Sequence, residues 1–167
     1  MRQFVFEPLA GHHVRLAFRC GVPELDEYLQ RRARQDAERH VAAVYVAVPL
    51  DVARRIAGFY TLSGASVLLD ELPADLRKKL PRYPTIPAIL LGRLARDMNF
   101  PGLGSQLLMD AFHRARRHSV EVAAAAILVD AKDEHARQFY ARYGFQQILH
   151  SPRRMFLPMK TLEKLFS

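Results

Sequence analysis

The sequence predicts a mixed α/β fold in which helices cover a central β-sheet. Strand-like and helical segments alternate along the chain in the order β-α-β-β-α-β-α-β-α-β. Two nearly continuous apolar runs, residues 88–95 and 123–129, are typical of strands in the middle of a sheet. The chain contains no internal repeat, low-complexity tract or linker rich in glycine and serine, so it is expected to fold as one layered unit.

The first strand and the first helix are predicted within residues 4–39. Residues 4–9 form a short β-rich segment. Pro23 opens the helix, since proline is favoured at the first helical position, where its missing N–H would have no helical partner. Apolar side chains at spacings of three and four then share one helix face; they are Leu25, Tyr28, Leu29 and Ala33.

A hairpin and a short helix follow. Residues 41–49 and 56–69 are β-rich and are joined by a polar turn, which predicts an antiparallel pair with a bend near Gly64. Residues 72–80 are predicted to form a short helix. The segment 81–87 contains three prolines and is expected to lack regular structure, because each proline removes a backbone donor and fixes φ.

The second half of the chain begins with the apolar strand 88–95 and a glycine-containing turn at 99–104. An amphipathic helix follows this turn and leads to the second apolar strand. Gly144 is expected to end the next helix, because glycine is favoured just beyond a helix C-terminus. The last predicted elements are a helix over 134–143, a strand pair over 145–150 and 154–158, and a helix over 162–166.

The composition indicates one compact domain spanning residues 1–167. Half of the 167 residues are hydrophobic, which excludes a mainly disordered chain and provides for a core without disulfides. The single cysteine, Cys20, excludes an internal disulfide and a cysteine-based zinc site. The seven histidines show no metal-binding spacing, so no metal is expected. No apolar run reaches the roughly 18 residues of a membrane span, and the N-terminus lacks a secretory signal, so a cytoplasmic protein is expected.

The net charge of +8 predicts an anionic partner. It arises from 25 Lys and Arg against 17 Asp and Glu, and 20 of the 25 cations are arginine. The planar guanidinium group matches phosphate geometry, which favours nucleic acid or a phosphorylated cofactor. A solvated surface without a ligand explains the same composition equally well.

The turn at residues 99–104 is a candidate anion site. Gly102 and Gly104 stand between a buried strand and a helix, where the first amides of the helix have no helical partner and the helix dipole adds partial positive charge. Such a turn binds phosphate or pyrophosphate. Glycine turns before helices are also common without this function, so the turn alone is a weak signal.

The segment "ARQFYARYGF" at residues 136–145 carries candidate catalytic tyrosines. Phe139 and Tyr143 share a helix face with Ala136 and have the spacing of core residues, whereas Tyr140 lies on an adjacent face. A tyrosine packed against the sheet is the simpler interpretation. A phenol acting as a general acid is the functional one.

In combination, these motifs resemble the GNAT (GCN5-related N-acetyltransferase) family over residues 88–145. A narrower resemblance, to the acetyltransferase toxins of bacterial type II toxin–antitoxin modules, covers nearly the whole chain. It rests on five segments in matching order and spacing, "FRCGVPELDEYLQRRARQD", "IAGFYTLSGAS", "LPRYPTIPAILLGRLARD", "VDAKDEHARQFYARYGF" and "LPMKTLEKLF". The resemblance implies the GNAT fold, a mixed, mostly antiparallel central sheet flanked by helices.

The resemblance also implies an activity. Such toxins use acetyl-CoA to acetylate the α-amino group of an aminoacyl-tRNA and so block translation. Tyr140 matches the family tyrosine that acts as general acid on the departing CoA thiolate, with Tyr143 as the alternative if the helix is rotated. Backbone groups of Leu94 and Arg96 would pair with the pantetheine arm. The pyrophosphate would be held by amides of Gly102, Leu103, Gly104 and Ser105.

The implied partners are a second copy of the toxin, in a homodimer, and an antitoxin. The antitoxin would combine a ribbon–helix–helix DNA-binding part with a tail that wraps the toxin. Basic side chains are expected to contact the phosphates of the tRNA, although a solvated helix face is an equally good interpretation of any one of them. The candidates are Arg31, Arg32, Arg34, Arg77, Lys78, Lys79 and Arg82.

The turn departs from the family pattern. The distance from Asp97 to the second glycine is shorter by about two residues, and Phe100 and Pro101 stand where glycine and a basic residue are usual. Pro101 removes one N–H donor. A non-catalytic protein that binds RNA or antitoxin is therefore an open alternative, together with an acetyltransferase for protein N-termini or small amines.

Overall fold

The computed structural model describes residues 2–166 and contains seven strands and six α-helices within that range. The strands are β1 (Phe4–Pro8), β2 (Ala43–Pro49), β3 (Gly58–Leu68), β4 (Thr85–Arg96), β5 (Ala126–Asp130), β6 (Gln146–Gln147) and β7 (Arg154–Pro158). The α-helices are α1 (Pro23–Glu27), α2 (Ala33–Glu38), α3 (Ala74–Arg77), α4 (Leu103–Glu121), α5 (Glu134–Ala141) and α6 (Met159–Lys164). None of the helices between residues 2 and 166 is long and apolar enough to cross a membrane.

The strands form one mixed sheet in the order β1-β2-β3-β4-β5-β7-β6. The pairs β1–β2, β2–β3, β5–β7 and β6–β7 are antiparallel, whereas β4 and β5 are parallel. The sheet is flanked by helices, which confirms the predicted fold class. The antiparallel pairing of β2 with β3 confirms the predicted hairpin. The parallel pairing of β4 and β5 extends from Ala88–Ala126 to Leu91–Val129 and ends there, while β4 continues to Arg96.

The chain divides into two compact units whose boundaries fall inside β3, β4 and α4. The first unit contains the residues up to Ser63 together with Gly92–Ala111. Its core gathers apolar side chains from the first helical segment and from β2 to β4, and includes Phe59. The Phe59 ring lies 5.5 Å from the Phe18 ring and 6.2 Å from the Tyr28 ring.

The second unit contains Gly64–Leu91 and the residues from Phe112 onward. A cluster of buried apolar residues, with Phe156 and Leu128 fully enclosed, forms its core. Gly144 follows α5 with φ of +98°, a conformation that side chains with a Cβ rarely adopt, so the predicted glycine stop is confirmed. Beyond it, the aromatic ring of Phe145 lies 6.0 Å from that of Phe112.

The helix predicted to start at Pro23 is interrupted. A π-helical turn, Tyr28–Arg32, separates α1 from α2. Tyr28, Leu29 and Ala33 are buried as predicted, and the Tyr28 hydroxyl donates a hydrogen bond to Asp36 Oδ2 at 2.8 Å. Burial and this hydrogen bond raise the pKa of Tyr28 to about 12.

The prediction of an irregular segment over 81–87 is wrong at its end, because β4 starts at Thr85 and includes Pro87. A strand tolerates proline where only a carbonyl is needed for pairing, and the Pro87 carbonyl accepts a hydrogen bond from the amide of Ala125 at 2.8 Å. The short helix predicted over 72–80 is reduced to the four residues Ala74–Arg77. The terminal helix begins earlier than predicted, at Met159.

Candidate functional site

The glycine turn is the first part of the candidate site, and it lies in the first unit. Helix α4 begins at Leu103, whose side chain is 1% exposed. Gly102 precedes it with φ of +84°, a left-handed conformation that favours glycine. The amides of Gly104 and Ser105 stand in the first turn of the helix, where no earlier helical carbonyl is available to accept from them. The turn therefore places the amides of Gly104 and Ser105 at the start of a long helix, while the Leu103 amide donates to the Phe100 carbonyl at 3.4 Å.

The turn is anchored by a carboxylate and an aromatic ring that the sequence reasoning did not select. Asp97, 1% exposed, accepts a hydrogen bond at Oδ1 from the Asn99 amide at 2.9 Å. The Phe100 ring, also buried, lies under the guanidinium groups of Arg2 and Arg55, with Cζ at 4.7 and 5.2 Å from its centroid. The available sequence signals were a carboxylate just before the turn and an aromatic residue within it.

The end of β4 extends beyond its described pairing with β5 and leads into this turn. The Arg93 amide donates to Thr61 Oγ1 at 3.1 Å, and the Asp97 amide donates to the Ala57 carbonyl at 2.7 Å. Backbone groups of successive strand residues point to opposite sides, so those of Leu94 and Arg96 point away from β3. Since the described pairing with β5 ends at Leu91, a ligand can bond to these groups.

Tyr140 lies in the second unit, on α5, and is the most enclosed of the candidate tyrosines. It is 8% exposed, whereas Phe139 and Tyr143 are half-buried, so the expectation that those two form the core face is reversed. Its ring packs 5.4 Å from the Phe145 ring and 5.3 Å from the Phe139 ring. Burial raises the pKa of Tyr140 to about 12.

The Tyr140 hydroxyl has no hydrogen-bond partner among residues 2–166. Every fully buried polar side-chain atom in this range does have a partner, so the hydroxyl retains contact with solvent. The arrangement gives a phenol that keeps its proton at neutral pH and can donate it to a ligand.

The predicted tRNA contacts are distributed over both units. In the first unit, Arg31 and Arg32 belong to the π-helical turn and are exposed, whereas Arg34 forms an ion pair with Glu38 at 2.8 Å. In the second unit the candidates lie on or just after α3, with Arg77 half-buried and the others exposed; these others are Lys78, Lys79 and Arg82. The ion pair makes Arg34 the least available of the first group.

One group of side chains has ligand atoms close enough for a metal. Atoms of Glu7, His12 and His13 lie within 4.8 Å of one another. His13 is already used in the fold, since its Nδ1 accepts from the Ala10 amide at 2.9 Å and its Nε2 lies 2.8 Å from Glu7 Oε1. Both ring nitrogens therefore stabilise the turn that follows β1.

Sequence comparison identifies the family. No protein-family model matches the chain. The chain is 34% identical over 151 residues to a tRNA-acetylating toxin of Mycobacterium tuberculosis, covering 89% of this chain and 88% of that protein. The chain belongs to the GNAT-fold acetyltransferase toxins. It is also 29% identical over 171 residues to a Sinorhizobium fredii protein named toxin TacT, covering 96% and 94% of the two chains.

Solved toxins of this family share the whole fold. A tyrosine-to-phenylalanine mutant of KacT superposes with a TM-score of 0.91 at 30% identity, covering 98% of this chain and 99% of that one. AtaT complexed with acetyl-methionyl-tRNAfMet gives 0.91 at 27% identity, covering 99% and 100%. AtaTR bound with acetyl-CoA gives 0.86 at 27% identity, covering 98% of each chain. The GNAT toxin fold predicted from the sequence motifs is therefore confirmed, whereas the roles of individual site residues stay predictions.

Proposed function

We propose that residues 1–167 form a single GNAT domain that transfers an acetyl group from acetyl-CoA to the α-amino group of an aminoacyl-tRNA and thereby blocks translation. The observation that carries this proposal is family membership: a relative at 34% identity is a tRNA-acetylating toxin. Solved neighbours of the same fold hold acetyl-methionyl-tRNA in one case and acetyl-CoA in another.

The cofactor contacts proposed here come from backbone groups. The amides of Gly102, Leu103, Gly104 and Ser105 take the pyrophosphate, because a helix N-terminus offers donors and a favourable dipole. The Leu103 amide donates to the Phe100 carbonyl at 3.4 Å and would exchange that acceptor for the ligand. The unpaired groups of Leu94 and Arg96 hold the pantetheine arm in an extended form, as an added strand would be held. Neither contact requires a metal.

Acetylation of an α-amino group does not require a strong general base. An α-amino group has a pKa of ~7.7–8.0, so a useful fraction is neutral at physiological pH. Its nitrogen attacks the thioester carbonyl, the carbon–sulfur bond breaks, and the nitrogen releases a proton to water. The Tyr140 hydroxyl hydrogen-bonds the departing thiolate and supplies the proton that yields free CoA, and the tyrosinate then takes a proton back from the water that accepted the one released by the nitrogen.

Basic side chains contact the tRNA, because they neutralise backbone phosphates and release the counterions bound to them. Arg34 and Arg77 are half-buried and the others are exposed. The contacts come from Arg31, Arg32, Arg34, Arg77, Lys78, Lys79 and Arg82. A net charge of +8 supports an anionic substrate over a polyamine.

The proposed partners are an antitoxin and a second copy of the chain. AtaT, at 25% identity and a TM-score of 0.83, has been solved with the C-terminus of the antitoxin AtaR. We infer a corresponding antitoxin here, with a ribbon–helix–helix part and a tail that wraps the toxin, acting in the cytoplasm on a homodimer. Light scattering of the purified chain, alone and with its antitoxin, would test both assemblies.

Mass spectrometry of aminoacyl-tRNAs after incubation with the protein and acetyl-CoA tests the proposed activity. We expect a mass increase of one acetyl group on the amino acid of one or a few tRNAs. Acetylation of peptide N-termini or small amines with no change in charged tRNA would support the other enzymatic function. Failure of the wild-type protein to bind acetyl-CoA would leave only a non-catalytic binding module.

A further inference from the structure

We propose that Asp97 is a positioning residue that holds the shortened turn, residues 99–104, in the shape that binds acetyl-CoA. The inference rests on the proposed function, because it assigns a role within the same cofactor site. It explains how a turn that is short and contains Pro101 keeps its amides directed at a ligand.

The Asp97 carboxylate bridges two segments of the first unit. Its Oδ1 accepts from the Asn99 amide at 2.9 Å, and its Oδ2 accepts from the Arg19 amide at 3.0 Å. The Arg55 guanidinium lies 3.6 Å from Oδ1. These partners offset the cost of removing a carboxylate from water, and the side chain is only 1% exposed.

The backbone of Asp97 reinforces the same bridge. Its amide donates to the Ala57 carbonyl at 2.7 Å, and its carbonyl accepts from the Phe100 amide at 3.0 Å. The next residue, Met98, donates to the Arg19 carbonyl at 2.8 Å, so the two segments exchange hydrogen bonds in both directions. Both the start and the first half of the turn are fixed by these contacts.

Phe100 supplies the apolar half of the anchor. Its ring is 5% exposed and lies 5.9 Å from the Phe4 ring in an edge-on arrangement. The Arg55 guanidinium touches both this ring and the Asp97 carboxylate, so the ring and the carboxylate are joined through one side chain. Where the family pattern has glycine and a basic residue, this chain has a turn that packs on a buried ring and is bonded to a buried carboxylate.

The expected consequence is selective loss of cofactor binding. A turn fixed before the ligand arrives does not have to be ordered on binding, so anchoring it increases affinity. Removing the carboxylate leaves the Asn99 and Arg19 amides without an acceptor and frees the turn. The KM for acetyl-CoA should rise while kcat stays near the native value, because no reacting atom has been removed.

The experiment compares wild type, Asp97→Ala, Asp97→Asn and Asp36→Ala. Asp36 accepts a hydrogen bond from Tyr28 in the same unit but has no contact with the turn. Acetyl-CoA affinity is measured by titration calorimetry, with kcat, KM and thermal midpoints alongside. We expect roughly 10-fold or greater weakening for Asp97→Ala. Asp97→Asn should be intermediate, since its oxygen accepts one amide and its NH2 opposes the other. Asp36→Ala should bind normally even if it melts earlier.

The outcomes separate the two proposals. If wild type binds no acetyl-CoA, the proposed function fails. If wild type binds and folded Asp97→Ala binds equally well, the positioning role is overturned. The alanine variant could fail to fold, and Asp97→Asn then serves as the test because it keeps the side-chain volume. Native acetyl-CoA affinity and a native KM in Asp97→Asn would overturn the positioning role.

Discussion

Two properties of Tyr140 support its proposed role as the proton donor at the end of acetyl transfer. Its environment, made of the Phe139 and Phe145 rings, raises its pKa to about 12, so the hydroxyl stays protonated at any physiological pH. Its oxygen is not committed to another group of the described chain. A donor of this kind stabilises a developing thiolate without ionising in the resting enzyme.

Replacing Tyr140 by phenylalanine should slow turnover about 100-fold or more, because the hydroxyl alone is lost while the ring packing remains. The KM for acetyl-CoA should change little. Steady-state kinetics on charged tRNA would measure both constants. Tyr143→Phe is the matched control, since Tyr143 is half-buried on the same segment. A native rate in Tyr140→Phe with a slow Tyr143→Phe would transfer the role to Tyr143.

The same raised pKa predicts how stability depends on pH. The neutral phenol is favoured in the folded state, so the unfolded state loses its proton first, near pH 10, and the folded state near 12. Below pH 10 the contribution of Tyr140 is fully present, and it is lost as the pH rises from 10 to 12. Wild type should therefore lose stability relative to Tyr140→Phe by about 1.4 kcal/mol per pH unit in this window.

Urea unfolding of both proteins between pH 9 and 11 would measure the difference. Tyr28, whose pKa is also raised to about 12, is present in both and cancels. Tyr83→Phe is the matched control, because it removes the same hydroxyl from a ring that is 65% exposed. Parallel curves for wild type and Tyr140→Phe would contradict the assigned burial.

At the scale of elements, the strand, turn and helix from β4 to α4 carry the proposed cofactor contacts. The apolar run in β4 and the periodic apolar face of α4 made both elements predictable from sequence, because each signal extends over many residues. The anchoring of the turn was not predictable. It depends on Arg19, Arg55 and Phe4, which are distant in sequence and whose relation to Asp97 and Phe100 appears only in the fold.

Other elements show the same limit. The π-helical turn, Tyr28–Arg32, leaves the buried side of the helix as predicted, since Tyr28, Leu29 and Ala33 all face the core. Apolar spacing of three and four does not distinguish a π turn from an α turn. In β4, the proline rule failed because Pro87 pairs through its carbonyl alone.

Gly102→Ala should weaken acetyl-CoA binding. The left-handed conformation at φ of +84° costs an alanine about 1–2 kcal/mol, so the turn would move to relieve it. The measurement is acetyl-CoA affinity by calorimetry. Gly64→Ala in β3 is the control, because a Cβ there meets open space and its φ is not left-handed. Equal affinity for Gly102→Ala and wild type would show that this turn does not hold the pyrophosphate.

At the scale of the whole molecule, the composition sets the net charge at +8. The fold determines which of the charged side chains are exposed and which are paired. The sequence indicated an anionic partner but not which cations meet it. Folding distinguishes them physically: Arg34 is held by Glu38 and Arg154 by Asp130, whereas Arg31, Arg32, Lys78 and Lys79 are exposed. Which aminoacyl-tRNA is chosen depends on surface shape, which no residue pattern encodes.

Affinity for tRNA should fall steeply with salt. The slope of log affinity against log salt should become shallower by roughly 0.7–0.9 for each phosphate contact removed. Binding would be measured by filter retention at several salt concentrations for Arg31→Ala/Arg32→Ala and Lys78→Ala/Lys79→Ala. Lys160→Ala, an exposed substitution on α6 outside both groups, is the control. A salt-independent affinity would exclude the phosphate contacts assigned to these side chains.

The described pairing of β4 with β5 ends at Leu91 and Val129, which has a consequence for amide exchange. The N–H groups of Leu94 and Arg96 point to the side where the described ladder with β5 has ended, so their hydrogens are open to replacement by deuterium. A bound pantetheine arm would accept from them and slow the exchange, while the Arg93 amide, already bonded to Thr61, would not respond. Slower deuterium uptake at Leu94 and Arg96 when acetyl-CoA is present would therefore show that the ligand lies along this end of β4.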